Sequence, residues 1–298
     1  MIVWVNEAVK QQMIEFKNVT KKYTDNIGID NVSLKIDNGE FVFIIGESGA
    51  GKSTFIRLIE KEIAPDTGHI YFDGKEITHL KRREIPAIRQ SIGMVFQDFR
   101  LLDKKTAFEN VSFAMEILHR SKREIARRVP EVLDLVGLHD KGNKYPNELS
   151  AGEQQRVGIA RAIANKPRVL ICDEPTGNLD YKTAKGIMDI LEKINMRGTT
   201  VIVATHALDL VKEMNKRVIT IAEGKVVNDR MGLFNSSDHF SNVNYIDELV
   251  RLFENSGSLT SEERRTIYMT ETNVGRPGGQ ENVEVFIGDY LKQGDENE

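Results

Sequence analysis

Apolar and polar positions change period several times along this chain, and each change marks an element. Met13-Ile14-Glu15-Phe16-Lys17-Asn18-Val19 alternates and predicts a half-buried strand, as does Val32-Ser33-Leu34-Lys35-Ile36. The turn Asp37-Asn38-Gly39-Glu40 closes the second strand. Phe41-Val42-Phe43-Ile44-Ile45 is continuously apolar, the pattern of a strand buried on both faces. Thr54–Glu60 carries apolar residues at helical spacing, and Pro65-Asp66-Thr67-Gly68 ends that helix. Ile70–Ile77 reads as a hairpin around Asp73-Gly74, and Ile92–Phe96 as a buried strand that ends in Gln97. From about Thr106 to Val136 the spacing predicts helix, and another helix opens at Leu149–Gln154. Arg168–Cys172 is a strand with Asp173-Glu174 at its end. A helix follows over about Thr183–Asn195. Thr200–Ala204 is a strand ending in Thr205-His206, and Val218–Ile221, Glu223-Gly224-Lys225 and Val226-Val227 form a closing hairpin.

Parallel-type strands alternating with helices predict a layered α/β fold. Ligands in such sheets bind outside the C-terminal ends of the strands, where Gly46, Gln97, Asp173 and His206 all fall.

The stretch between the third strand and its helix carries the chemistry. Gly46-Glu47-Ser48-Gly49-Ala50-Gly51-Lys52-Ser53 fits G-x-x-x-x-G-K-[ST] at every fixed position. Gly46, Gly49 and Gly51 let backbone N–H groups converge on a dense anion such as a triphosphate. The helix start, with Thr54 in its first turn, adds free N–H groups and a positive dipole end. Lys52 reaches the outer phosphates, and the Ser53 hydroxyl is placed to ligate Mg²⁺. In a protein with such a loop, Asp173 at a strand end holds the Mg²⁺ through water. Glu174 then orients the water that attacks the γ-phosphate.

Bulk composition narrows the setting. The 298 residues carry a net charge of −4, which gives no reason to expect nucleic acid. That sum hides an asymmetry: residues 231–298 hold 13 Asp and Glu against 5 Lys and Arg. The single cysteine, Cys172, excludes an intrachain disulfide and reads as a small buried hydrophobe. No apolar run approaches the roughly 20 residues of a membrane helix, and the first residues do not read as a signal peptide. A cytoplasmic protein is expected, held at a membrane only by a partner.

The order Gly46–Ser53, Gln97, Leu149–Gln154, Asp173-Glu174, Asn178-Leu179-Asp180, His206 resembles that of the ATP-binding subunits of ABC transporters. The resemblance covers roughly residues 13–230. Within the family the chain is most similar to the cell-division branch, the FtsE proteins. Phe96-Gln97-Asp98-Phe99-Arg100-Leu101-Leu102, Tyr145–Val157 and Asp173–Asp180 carry that similarity. Lipoprotein-release and macrolide-export ATPases share part of it.

The resemblance implies a P-loop NTPase of ABC type: a mixed sheet core with an antiparallel β part, and a helical subdomain over about 98–165. It implies ATP and Mg²⁺ as ligands. It assigns nucleotide binding to Tyr23, Gly46, Glu47, Ser48, Gly49, Ala50, Gly51, Lys52, Ser53, Thr54 and Gln97. Ser53, Gln97 and Asp173 are then the metal's residues, and Glu174 and His206 the catalytic ones. Read alone, Tyr23 is either a surface aromatic or an adenine-stacking ring, and His206 either structural or functional; the family favours function in both. Ser150, Gly152 and Asp180 act in trans, so ATP joins two copies head to tail. Ala151 stands where the family more often has glycine, which leaves the backbone donors in place.

Residues 1–12 read as an N-terminal extension and 13–230 as the ATP-binding domain. Residues 231–298 read as an acidic C-terminal extension, mostly flexible. Within the last, Tyr245–Phe253 is patterned as a short amphipathic helix, and Val283–Ile287 as a strand or docking segment. The expected partner is an FtsX-like integral membrane subunit, gripped by the segment Asp98–Glu148 with Phe99, Leu101, Leu102 and Phe108 as candidate contacts. Other division proteins are further candidate partners. The expected place is the cytoplasmic face of the plasma membrane at the division site. Export or lipid extraction, and a nucleotide-gated scaffold with little turnover, are the alternatives.

Overall fold

Two sheets divide the strands between them in the computed structural model, which describes residues 11–23 and 27–232. The segments Tyr245–Phe253 and Val283–Ile287, the acidic extension around them, and most of the N-terminal extension lie outside the described residues. In chain order the strands are β1 (Gln12–Lys22), β2 (Ile27–Asp37), β3 (Phe41–Ile45), β4 (Thr67–Phe72), β5 (Lys75–Glu76), β6 (Ile92–Val95), β7 (Val169–Asp173), β8 (Thr200–Ala204), β9 (Arg217–Ala222) and β10 (Lys225–Met231). The helices are α1 (Lys52–Ile59), α2 (Ile85–Gln90), α3 (Ala107–Glu116), α4 (Lys122–Leu135), α5 (Ala151–Ile163), α6 (Tyr181–Asn195) and α7 (Leu208–Met214).

The first sheet is antiparallel with order β2-β1-β4-β5; the second has order β10-β9-β3-β8-β7-β6. In the second, β9, β3, β8, β7 and β6 run parallel, and β10 closes the edge antiparallel to β9. The apolar runs of β3, β7, β8 and β9 are buried on both faces, as the patterning required, whereas β6, expected to be buried, is the edge strand and leaves Ile92 and Met94 partly exposed. The alternating strands β1 and β2 turn one face inward, and α1 lies between them and the parallel sheet. Phe55 of α1 stacks on Phe16 of β1 with ring centroids 4.7 Å apart. Cys172, in β7, is fully buried, and burial pushes its thiol far above the ordinary range.

Some boundaries differ from the pattern. Strand β1 takes in Gln12, and Gln11 is tied to the sheet as well: its carbonyl accepts from the Asn38 N–H (2.9 Å), and its amide donates to Asp73 (3.1 Å). The helical stretch from 106 to 136 is two helices. The chain breaks at His119, with φ 55°, and restarts at Ser121, whose side chain caps α4 in a reciprocal pair with Glu124. Thr106 and Glu109 cap α3 in the same way. Helices α2 and α7 are only six and seven residues long, too short for their period to be read from the chain.

One buried side chain holds the loop before α3. Asn110 is fully buried; its amide donates to the carbonyls of Leu102, Lys105 and Thr106, and its oxygen accepts from the Leu102 N–H at 2.7 Å. Asn110→Ala strands these groups, and should cost about 2 kcal/mol or more of stability. Urea unfolding of the purified variant checks this.

Candidate nucleotide site

The loop between β3 and α1 is curled around its own lysine. Lys52 Nζ donates to the carbonyl of Gly46 at 2.6 Å and of Glu47 at 2.9 Å, and the side chain is almost fully buried. Burial lowers its pKa, while Glu174, Asp173 and Glu47 favour the charged form. Two glycines have no substitute here. Gly46 has φ 153°, and a Cβ on it would lie 2.1 Å from the Ile221 carbonyl oxygen. Gly51 has φ 116°, and its Cβ would lie 2.3 Å from the Gly28 oxygen. The turn after β9 braces the loop from outside: the Gly224 N–H donates to the Ala50 carbonyl (2.9 Å), and the Gly224 carbonyl accepts from Asp30 (2.8 Å). The sequence reads Gly224 only as part of the hairpin turn Glu223-Gly224-Lys225; its brace on Ala50 is not visible there, because that partner is 174 residues away.

The carboxylates arrive on β7. Burial, and then the neighbouring Glu174, raise the pKa of Asp173; Lys52 and Arg100 oppose the shift. Glu174 stands in the left-handed region with φ 48°, a costly conformation for a non-glycine residue. Its own N–H donates to Ala204, at the end of β8 (2.9 Å). His206, two residues beyond Ala204, places Nδ1 3.0 Å from Glu174 Oε2, and its N–H donates weakly to the same oxygen (3.4 Å). The sequence places both residues at strand ends; their direct contact is a product of the fold. The set can orient a water on a carboxylate held by an imidazole.

Gln97 follows β6 by two residues and packs against the loop after Glu174. A Cβ at Gly177 would lie 2.9 Å from Gln97 Nε2. Tyr23 is 40% exposed and leans over Gly28 towards Thr54: a Cβ at Gly28 would come within 2.9 Å of both side chains. Tyr23 therefore stands beside the start of α1. Ser53, Gln97 and Asp173 offer hydroxyl, amide and carboxylate oxygens, the hard donors that Mg²⁺ takes. A cation there would offset the burial and the Glu174 repulsion that together raise Asp173.

Ser150, Gly152 and Asp180 gather elsewhere, at the adjoining starts of α5 and α6. Ser150 caps α5 in a reciprocal pair with Glu153. Asp180 caps α6 by accepting from the Thr183 N–H (3.1 Å). A Cβ at Gly152 would lie 2.4 Å from Thr183 Cγ2, so the two helix starts pack without space for a side chain.

Beside the Gln97 loop lies a cleft of about 1160 Å³ between α2, β6, α3 and α5. Its apolar wall includes Ile85, Phe96, Phe113, Ile117 and Leu118, with Ile117 58% exposed; Arg82, Arg89 and Arg161 stand among them. Phe99, Leu101, Leu102 and Phe108, expected as partner contacts, do not line this cleft and are half-buried. Asn110 and Arg161 draw the loop carrying the first three against the helices.

The family model described as ABC transporter matches residues 29–177. The chain is 50% identical over 218 residues to the cell division ATP-binding protein FtsE of Streptococcus pneumoniae serotype 2 (strain D39), covering 73% of this chain and 95% of that protein. It is 51% identical to the protein of the same name from Bacillus subtilis (strain 168), covering 73% and 96%. Among solved structures it is similar to a dimeric post-hydrolysis state of the ATP-binding cassette MJ0796 bound to ADP and Pi. That match has TM-score 0.66 and 38% identity, and covers 74% of this chain and 98% of that one. It is also similar to cbiO1 from Clostridium perfringens, part of the ABC transporter complex cbiONQ, with TM-score 0.72 and 29% identity, covering 88% and 100%.

Three substitutions test the site. Lys52→Ala removes the ammonium at the centre of the loop and should abolish tight ATP binding. Glu174→Gln should bind ATP as the parent does, yet turn over at least a hundredfold more slowly, on the order of a lost catalytic base. Equilibrium binding and a phosphate-release assay separate the two. Asp173→Asn should raise the thermal midpoint without nucleotide and abolish Mg²⁺-dependent turnover. A carboxyl whose folded pKa lies above its unfolded value costs stability once the pH exceeds both, and asparagine removes that cost. Thermal scans at neutral pH read the effect.

Proposed function

We propose, for a chain that belongs to the ABC transporter family, that its ATP-driven closing works an FtsX-like membrane subunit and so regulates cell-wall hydrolysis during cell division. The chain is an ATP-binding subunit of that family and an ATPase. The observation that carries the finer reading is its half-identity, over nearly their whole length, to proteins named for cell division.

In this reading the loop amides and Lys52 hold the outer phosphates of ATP, and Tyr23 stacks on the adenine. Ser53, Gln97 and Asp173 hold Mg²⁺, which when bound neutralises charge on the phosphate oxygens. Glu174, steadied by His206, takes a proton from the attacking water. Ser150, Gly152 and Asp180 complete the site of a second copy, a proposal supported by the dimeric cassette among the similar structures. ATP then closes the dimer and hydrolysis releases it.

The motion needs a load. Among the described residues no helix is long and apolar enough to cross a membrane. The cleft beside Gln97 offers exposed Ile117 and Phe113 at the junction of α2 and α3, and we assign it to a cytoplasmic helix of the membrane subunit. Such seating holds the chain at the cytoplasmic face of the plasma membrane, at the division site.

The test is affinity purification of Glu174→Gln with ATP from detergent-solubilised native membranes, followed by mass spectrometry. An FtsX-like subunit together with cell-wall proteins is the expected catch. It should be lost on adding Ile117→Asp, while ATP-driven dimerisation persists. Capture of a lipoprotein-release or efflux permease instead would move the function to transport, and capture of no membrane protein would favour a scaffold.

A further inference from the structure

One buried amide on α5 joins the two loops that face the γ-phosphate. Gln155 is fully buried, and its Nε2 donates to the Pro175 carbonyl at 2.8 Å and to the Phe96 carbonyl at 3.3 Å. Phe96 immediately precedes Gln97, and Pro175 immediately follows Glu174. Both protons of a single NH₂ group therefore span the two loops. Gln155 Oε1 is itself buried without a hydrogen-bond partner. The amide therefore leaves one of its own acceptors unmatched while it serves one carbonyl on each loop, and an apolar residue of the same volume would take that donor from both loops.

Two further contacts point the same way. Gln97 Nε2 lies against Gly177 on the other loop, where a Cβ would come within 2.9 Å. Arg161, further along α5, donates to the carbonyls of Phe99 (2.8 Å) and Arg100 (2.5 Å). These two successive residues stand in the left-handed region, with φ 57° and 48°. The loop after Gln97 is thus held in a strained shape by the same helix that holds its beginning.

We propose that Gln155 is a positioning residue for hydrolysis. Its amide sets the separation of the Gln97 loop from the Glu174 loop. It also ties that separation to α5, whose start faces the second copy's nucleotide. This rests on the roles proposed above for Gln97, Glu174 and the start of α5. Gln155 touches no reacting atom in that arrangement; it acts through the residues on either side.

The test is Gln155→Met in the full chain, which keeps the volume and removes both donors. The expected result is a kcat lower by about tenfold or more. KM for ATP should stay within about twofold, because the phosphate loop is untouched. ATP-driven dimerisation, read by size exclusion in the Glu174→Gln background, should persist. A parental kcat overturns the proposal. So does a joint loss of kcat, ATP affinity and dimerisation that follows a lowered thermal midpoint, which is what a purely structural residue gives. Should Gln155→Met be insoluble, Gly177→Ala decides, since its Cβ would meet Gln97 Nε2 at 2.9 Å and so change the separation of the same two loops at a second, exposed point. Lower kcat with unchanged KM supports the proposal, and parental kcat overturns it. Glu174→Gln alone separates the premise from the inference: parental turnover by that variant removes the role on which the positioning depends.

Discussion

A buried ammonium beneath the phosphate loop is the constraint on which the rest of the site depends. Lys52 lies within electrostatic reach of Glu174 and Asp173 while its hydrogen bonds go to the loop's own carbonyls. Burying that charge is tolerable only where carboxylates stand near and carbonyls solvate it. Both conditions come from topology. Strands β3 and β7 run parallel, with β8 between them, so their C-terminal ends deliver the loop and the carboxylates to the same edge. The arrangement is poised for an anion outside the loop and a cation beside Asp173. These are the charges of a magnesium nucleotide.

Strained backbone recurs on the two loops that carry Gln97 and Glu174. Glu174, Phe99 and Arg100 adopt positive φ without being glycine, and each is held by a hydrogen bond from another element. Strain of this kind persists only when the surroundings over-determine it. Here the surroundings are chiefly α5 and the end of β8. Helix α5 therefore joins three things: a start proposed to face a second copy, a middle that spans the two loops, and an end that lines the cleft.

The cleft and the nucleotide site share residues rather than merely lying near each other. Phe96 walls the cleft and gives its carbonyl to Gln155; Arg161 walls the cleft and pins the loop after Gln97. A helix seated there would touch side chains one bond away from the γ-phosphate loops. That is a short physical route between a membrane partner and hydrolysis, and it requires no long-range pathway.

Much of this molecule is legible along the chain, because its signals are local. The glycine loop between an apolar strand and a helix declares its ligand, since only that backbone can aim so many donors at one anion. The parallel core is legible from continuous apolar runs, and so are Asp173, Glu174 and His206 as strand-end residues. The break at His119 and the restart at Ser121 were written in the capping pair Ser121–Glu124, but the apolar period on both sides runs through them. Other features have no local sign. The contact of His206 with Glu174, the brace from Gly224, the four bonds of Asn110 and the span of Gln155 all join residues whose neighbourhood only folding creates. What the sequence by itself determined is the chemistry: the residue types, their order and the strand ends that carry them. What only the tertiary structure decided is their mutual distance and burial, because a hydrogen bond or a shifted pKa depends on partners that the chain brings together only once its core has closed.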